Sequence, residues 1–203
     1  MDAKLLAWAR AEARRRRRFS ALPPLWLFTD AHRLADPRPV VARLPKGLAG
    51  VVLRHDGEPA RAALGLDLAR LCRARRLRLV VAGDPRFAAA LGAGVHLRGS
   101  RWPPGGPVVR RRRGALLTSS AHGLAEVRRA ARVRADLVFL SPAFATQSHP
   151  GGAALGPLRW GRMARGAGVA VAALGGVGGA SVRRLPRGLC CGVGAIEALG
   201  GGR

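Results

Sequence analysis

Short unbroken apolar runs recur along the chain, and between most of them lie segments whose apolar residues return every three or four positions. An unbroken run suits a strand covered on both faces, because a strand with one wet face alternates apolar and polar residues. The clearest run is 137–140, Leu-Val-Phe-Leu, which stops at Ser141-Pro142 and opens into a loop over 146–152 rich in donors and turn formers. Further strands are predicted over 25–29, 50–53, 77–82, 94–97, 115–119, 169–174 and 189–193. Most end in polar residues or glycine: Asp30 after the first, Arg54, His55 and Asp56 after the second, and Ser119, Ser120 and His122 after the fifth.

Helical spacing predicts helices over 4–19, 61–76, 86–91, 124–134 and 158–164, with Leu64, Leu68 and Leu71 marking the buried face of the second. From 98 to 113 the pattern fails, and Pro-Gly turns with four consecutive arginines predict a degenerate crossover after strand 4. Eight strand signals alternating with helical ones predict an α/β chain: a single-domain (β/α)8 TIM barrel over 23–203, preceded by an N-terminal basic helical extension over 1–22. A doubly wound open sheet is the alternative. Both folds place ligands at the carboxyl ends of their strands, where loops vary while strands hold them.

Composition narrows the choice of partner. A chain of 203 residues, 48% hydrophobic, can bury one full core without a linker. The net charge of +25 would point to a polyanion, yet 34 of the 36 cations are arginine, with only Lys4 and Lys46 as lysine. Arg, Ala, Gly and Pro share GC-rich codons, so base composition is the expected cause and nucleic acid is not an expected partner. A phosphorylated small molecule fits the same charge, and a homo-oligomer stays open. Cys72, Cys190 and Cys191 form no CxxC and no metal spacing, which reads as buried thiols in a reducing compartment. No apolar stretch reaches membrane-span length and the first twenty residues lack a signal-peptide centre, so a cytoplasmic location is expected.

Two glycine turns carry the first chemistry. Gly175-Gly176 follows strand 7, and Gly194-Ala195 lies at the end of strand 8. Barrels commonly hold phosphate there on backbone amides, and glycine removes the Cβ that would keep the ligand away. These four residues are the expected phosphate contacts.

The motifs LWLFTD, GVVLR, GAGVHL, SSAH, DLVFLSPAFATQSHPG, ALGGV and GVGAIEAL, in that order over 25–199, resemble the thiamine phosphate synthase/TenI family. The resemblance implies a β/α barrel acting on thiazole phosphate in thiamine biosynthesis. Synthase members join it to hydroxymethylpyrimidine pyrophosphate with Mg²⁺, whereas TenI-like members isomerise the thiazole ring without metal. The departures favour the second. At the synthase Gln-x-Arg-x-Lys motif stand Val52, Arg54 and Asp56, so only the arginine is kept, as a ligand for a carboxylate or phosphate or as a partner of Asp30 or Asp56.

Thr146-Gln147-Ser148-His149 resembles the synthase Thr-x-Thr-Lys, which makes Thr146, Ser148 and His149 substrate-binding candidates, with histidine in place of lysine. The metal carboxylates fall near Asp84, a ligand only in a synthase, and at Arg101. What the resemblance keeps is Ser120 as a substrate contact and His122 as the acid/base, since an imidazole titrating near neutrality can give and take the proton that isomerisation moves. The plain alternative for His122 is a cap on the helix near Gly123, and for His96 a satisfied histidine at a strand end. A synthase and a non-catalytic phosphate-binding protein are the other functions weighed.

Overall fold

In the computed structural model, which describes residues 1–16, 22–99, 114–146 and 153–200, eight parallel strands pair in chain order. They are β1 (Leu25–Phe28), β2 (Ala49–Leu53), β3 (Arg78–Ala82), β4 (Gly94–Leu97), β5 (Leu117–Ala121), β6 (Leu137–Leu140), β7 (Val171–Leu174) and β8 (Cys190–Ala195). β8 pairs back onto β1 through Leu25 and Val193, so the sheet is a closed barrel and the open-sheet alternative falls. Around it run α1 (Ala3–Arg16), α2 (Arg38–Arg43), α3 (Arg61–Ala74), α4 (Pro85–Leu91), α5 (Leu124–Arg132), α6 (Gly156–Arg165) and α7 (Glu197–Gly200), with a 3₁₀ turn at Val182–Arg184. No helix among the described residues is long and apolar enough to cross a membrane. The predicted crossover after strand 4 falls largely on 100–113, outside the described residues.

The strands are apolar on both faces because each face has its own core. Leu25, Leu27, Val51, Leu53 and Val138 join the shell beneath the helices, while Trp26, Phe28, Val52, Leu137 and Phe139 point inward. Three aromatic rings fill the inside edge to face, Trp26 on Phe139 at 5.5 Å and Phe28 on Phe139 at 4.8 Å between centroids. Space for them comes from small residues on neighbouring strands. A Cβ on Gly50 would lie 2.5 Å from the Trp26 ring, and one on Gly194 would lie 2.7 Å from Phe28. The one polar group of Trp26 is satisfied, its Nε1 donating to Pro23 O at 2.8 Å.

One strand and one helix depart from expectation. The fifth strand covers Leu117–Ala121 instead of 115–119, so Ser120, expected just past the strand, lies in it. The Ser120 hydroxyl, read as past the strand end, is carried inside, where it and Thr118 meet the buried His96. Helix α2 was not expected, since six residues with only Val40 and Val41 buried show no periodicity. The vicinal Cys190 and Cys191 face opposite ways, one into the helical shell and one into the barrel, and both are free thiols.

Helix α1 buries Leu5 and Ala9 and packs against β8 and the 3₁₀ turn. Its first residues also tie down two loops. Asp2 N donates to Ala198 O at 2.9 Å, and the Asp2 carboxylate accepts from Gly179 N at 2.6 Å and Lys4 N at 2.9 Å. The segments after β7 and β8 are thereby fixed from outside the barrel.

Candidate active site

A cavity of about 1010 Å³ opens at the carboxyl ends of the strands, and residues following or ending all eight of them line it. Arg54, Ser120, His122, Thr146, Gly175, Gly176, Gly194 and Ala195, each a site residue expected from sequence, all reach it. Ser148 and His149 lie outside the described residues, as does Arg101. Asp84 is not among the lining residues: it caps α4, accepting from Phe87 N at 2.9 Å, and pairs with Arg61 at 3.2 Å.

Arg54 leaves β2 over the Phe28 ring, 5.7 Å from its centroid. Its Nε donates to Thr29 O at 2.7 Å and its Nη2 to Asp30 Oδ2 at 2.9 Å. It lines the cavity and forms the ion pair with Asp30 that the sequence offered as one of its roles. Asp30 is the hub of the loop after β1. Its carboxylate also accepts from His32 N at 3.2 Å and Arg33 N at 3.1 Å and pairs with Arg33 Nη2 at 3.3 Å. Burial would raise its pKa, but the hydrogen bonds from Arg33 and the charges of Arg54 and Arg33 outweigh it and hold the carboxyl below its usual range. His55 is structural: it is buried, with Nδ1 3.0 Å from Thr29 Oγ1 and Nε2 3.3 Å from Ala35 O.

At the end of β5, the imidazole of His122 is exposed to the cavity, with Nδ1 3.3 Å from Ser141 Oγ. It does not cap α5. The N-cap is Gly123 without a side-chain bond, and Glu126 reaches back to accept from His122 N at 2.5 Å. The capping role is thus taken by a carboxylate three residues into the helix, which leaves the ring available. His96 sits deeper, fully buried against Phe28 and Phe139, with both ring nitrogens 2.9 Å from hydroxyls. Burial, helped by the charges of Arg54 and Arg98, pushes its pKa down to about 3, so it is neutral at working pH.

The glycine turn after β7 is shaped by its own backbone. Gly175 and Gly176 have φ of +86° and +63°, and a Cβ on Gly176 would overlap Ala145 O and lie 2.8 Å from Phe144 O. Phe144 N donates to Gly175 O at 3.0 Å, so the loops after β6 and β7 are laced together. Ser181 Oγ closes the turn, donating to Gly176 O at 3.0 Å and accepting from Gly178 N at 2.9 Å. The Gly176 amide itself has no hydrogen-bond partner among the described residues.

Sequence reasoning missed Asp30, Arg33, Arg98 and Ser141 as cavity residues. Arg98 bonds the Asp56 carboxylate, which also pairs with Arg61 at 3.4 Å. Asp30 and Ser141 stand in motifs at strand ends and so carried a readable signal, whereas Arg98 meets Asp56 across loops distant in sequence.

Among solved structures, the chain is similar to thiamine phosphate pyrophosphorylase from Pyrococcus furiosus, at 22% identity over 88% of each chain with a TM-score of 0.72. It is also similar in fold to a HpcH/HpaI aldolase/citrate lyase family protein from Burkholderia cenocepacia, at 17% identity over 91% of each chain with a TM-score of 0.61. A search of curated protein sequences finds no match. The family model described as thiamine monophosphate synthase matches residues 25–199, which contain every strand and every described cavity residue, and the chain therefore belongs to the thiamine phosphate synthase/TenI family.

Proposed function

We propose that this barrel binds a thiazole phosphate and isomerises the ring in the TenI manner, without metal. The observation that carries the reading is His122, an imidazole presented to the cavity at the end of β5, free of helix capping and within 3.3 Å of Ser141 Oγ. Moving an exocyclic carbon–carbon double bond into the ring relocates a proton from a saturated ring carbon to the exocyclic carbon. A base takes the proton from the saturated ring carbon, the electron pair shifts the ring and exocyclic double bonds into the aromatic ring, and the far carbon of the former exocyclic bond receives a proton. One imidazole can perform both transfers, and general acid–base catalysis of this kind contributes about 10²- to 10⁴-fold. The phosphate falls to the turn at Gly175 and Gly176, where the left-handed backbone and the unpartnered Gly176 amide suit an anion, with Gly194 and Ala195 beside it on the neighbouring strand. Arg54, Ser120 and Thr146 complete the contacts, and Ser148 and His149 are proposed with them from sequence.

Donor chemistry speaks against Mg²⁺ as a participant. The ion wants hard oxygen ligands in octahedral array. Asp84 is engaged by the α4 cap and Arg61, Asp56 is engaged by Arg61 and Arg98, and the second expected carboxylate is Arg101. These residues do not fit the ion, and Asp84 would matter only to a synthase. The deciding experiment offers the protein the exocyclic thiazole isomer with a chelator present and, separately, thiazole phosphate plus hydroxymethylpyrimidine pyrophosphate with Mg²⁺. Isomerisation with chelator and no coupling supports the reading. Mg²⁺-dependent coupling instead assigns a synthase, and neither product assigns a non-catalytic phosphate-binding protein.

A further inference from the structure

We propose that His96 is a positioning residue whose ring polarises Ser120, fixing the serine hydroxyl as a hydrogen-bond donor into the cavity. The proposal deepens the reading above, because it names what Ser120 offers a ligand: a donor for an acceptor atom such as a phosphate oxygen. It follows from accounting for three groups. Thr118 is fully buried, and among the described residues its Oγ1 has one partner, His96 Nδ1 at 2.9 Å. His96 Nε2 lies 2.9 Å from Ser120 Oγ, and that hydroxyl has no other partner among the described residues.

A neutral imidazole has one N–H and one acceptor nitrogen, so two arrangements compete. If Nδ1 carried the proton, it would donate to Thr118 and leave the threonine O–H buried with no acceptor. An unsatisfied buried donor is a costly defect. With the proton on Nε2, Thr118 donates to Nδ1 and Nε2–H donates to Ser120 Oγ, so every buried donor is used. Ser120 then keeps its own O–H, and the open direction for it is the cavity that Ser120 lines. The ring cannot turn over the question by gaining a second proton, since it is enclosed by Phe28 and Phe139 with Arg54 and Arg98 nearby.

The test reads the tautomer first, on the whole wild-type protein without ligand. Long-range ¹H–¹⁵N correlation of the five histidine rings, with His96 assigned by its absence from His96→Gln, should place the proton on Nε2. A proton on Nδ1 overturns the proposal. Affinity for thiazole phosphate, with inorganic phosphate as a second probe, then tests the consequence. Ser120→Ala should weaken binding roughly ten- to a hundredfold, the usual worth of a hydrogen bond to a charged group. His96→Gln, which retains an N–H toward Ser120, should bind more tightly than His96→Leu. Wild-type affinity in His96→Leu overturns the positioning role. If no variant or wild type binds thiazole phosphate, the functional reading fails, while the tautomer still decides this inference.

Discussion

Replacing Gly176 by alanine tests how tightly the glycine turn is built into the fold, and its cost can be worked from two separate terms. At φ of +63° the backbone is left-handed, which costs a residue with a Cβ about 1–2 kcal/mol relative to glycine. The new methyl also overlaps Ala145 O and sits 2.8 Å from Phe144 O, and forced overpacking of this kind costs about 1–3 kcal/mol. The sum, about 2–5 kcal/mol, lowers the melting temperature by roughly 4–20 °C for a chain of this size. Thermal and urea unfolding followed by circular dichroism measure it. Relief requires the 144–146 segment to move, so Thr146 shifts and affinity for the phosphorylated ligand falls as well. Gly175→Ala is the milder comparison, because its Cβ meets Pro142 at 3.1 Å. A Gly176→Ala protein within 1 kcal/mol of wild type would refute the claim that the turn is held against the loop after β6.

Other consequences follow from the core and the charges. Gly50→Ala drives a methyl into Trp26 and should destabilise by about 1–3 kcal/mol, with the loss reduced when Trp26 is made smaller; an additive double mutant would contradict the packing. Asp30 has a folded pKa below its unfolded value of about 3.9, so its contribution to stability is present above that value and lost as pH falls through the folded pKa. Asp30→Asn should therefore be less stable than wild type at neutral pH and show a shallower loss in acid, measured by urea unfolding between pH 2 and 7. The three cysteines are buried with thiols pushed up to about 12, 12 and 11, chiefly by desolvation, so a thiol reagent should label them only after unfolding. Rapid labelling of the native protein would show that the barrel opens.

Much of the fold is legible in the sequence because two-sided burial writes unbroken apolar runs, as in Leu137–Leu140. The end of β5 is not legible, because Ser119 and Ser120 look like a polar strand tip until His96 is known to meet Ser120. Helix α2 is too short to show a period. At the site, His122 and the glycine turns are readable from motif and position. The pair Arg98–Asp56 is not, since the partners lie 42 residues apart and only barrel closure joins them, whereas Arg54–Asp30 is one of the two roles the sequence offers the arginine. The same holds for Gly176, whose need for a missing Cβ is set by the carbonyl of Ala145, a residue on another loop. Glycine there reads as room for a ligand in the sequence and as room for backbone in the structure.

The central claim is that His122 moves the proton, and single-turnover isomerisation of the exocyclic thiazole phosphate by His122→Ala, with chelator present, tests it most directly. Among the described residues the ring makes one hydrogen bond, of 3.3 Å, and it is exposed, so its removal should leave folding and ligand affinity near wild type. The rate should fall about 10²- to 10⁴-fold. An alanine variant that isomerises the thiazole at the wild-type rate would contradict the account.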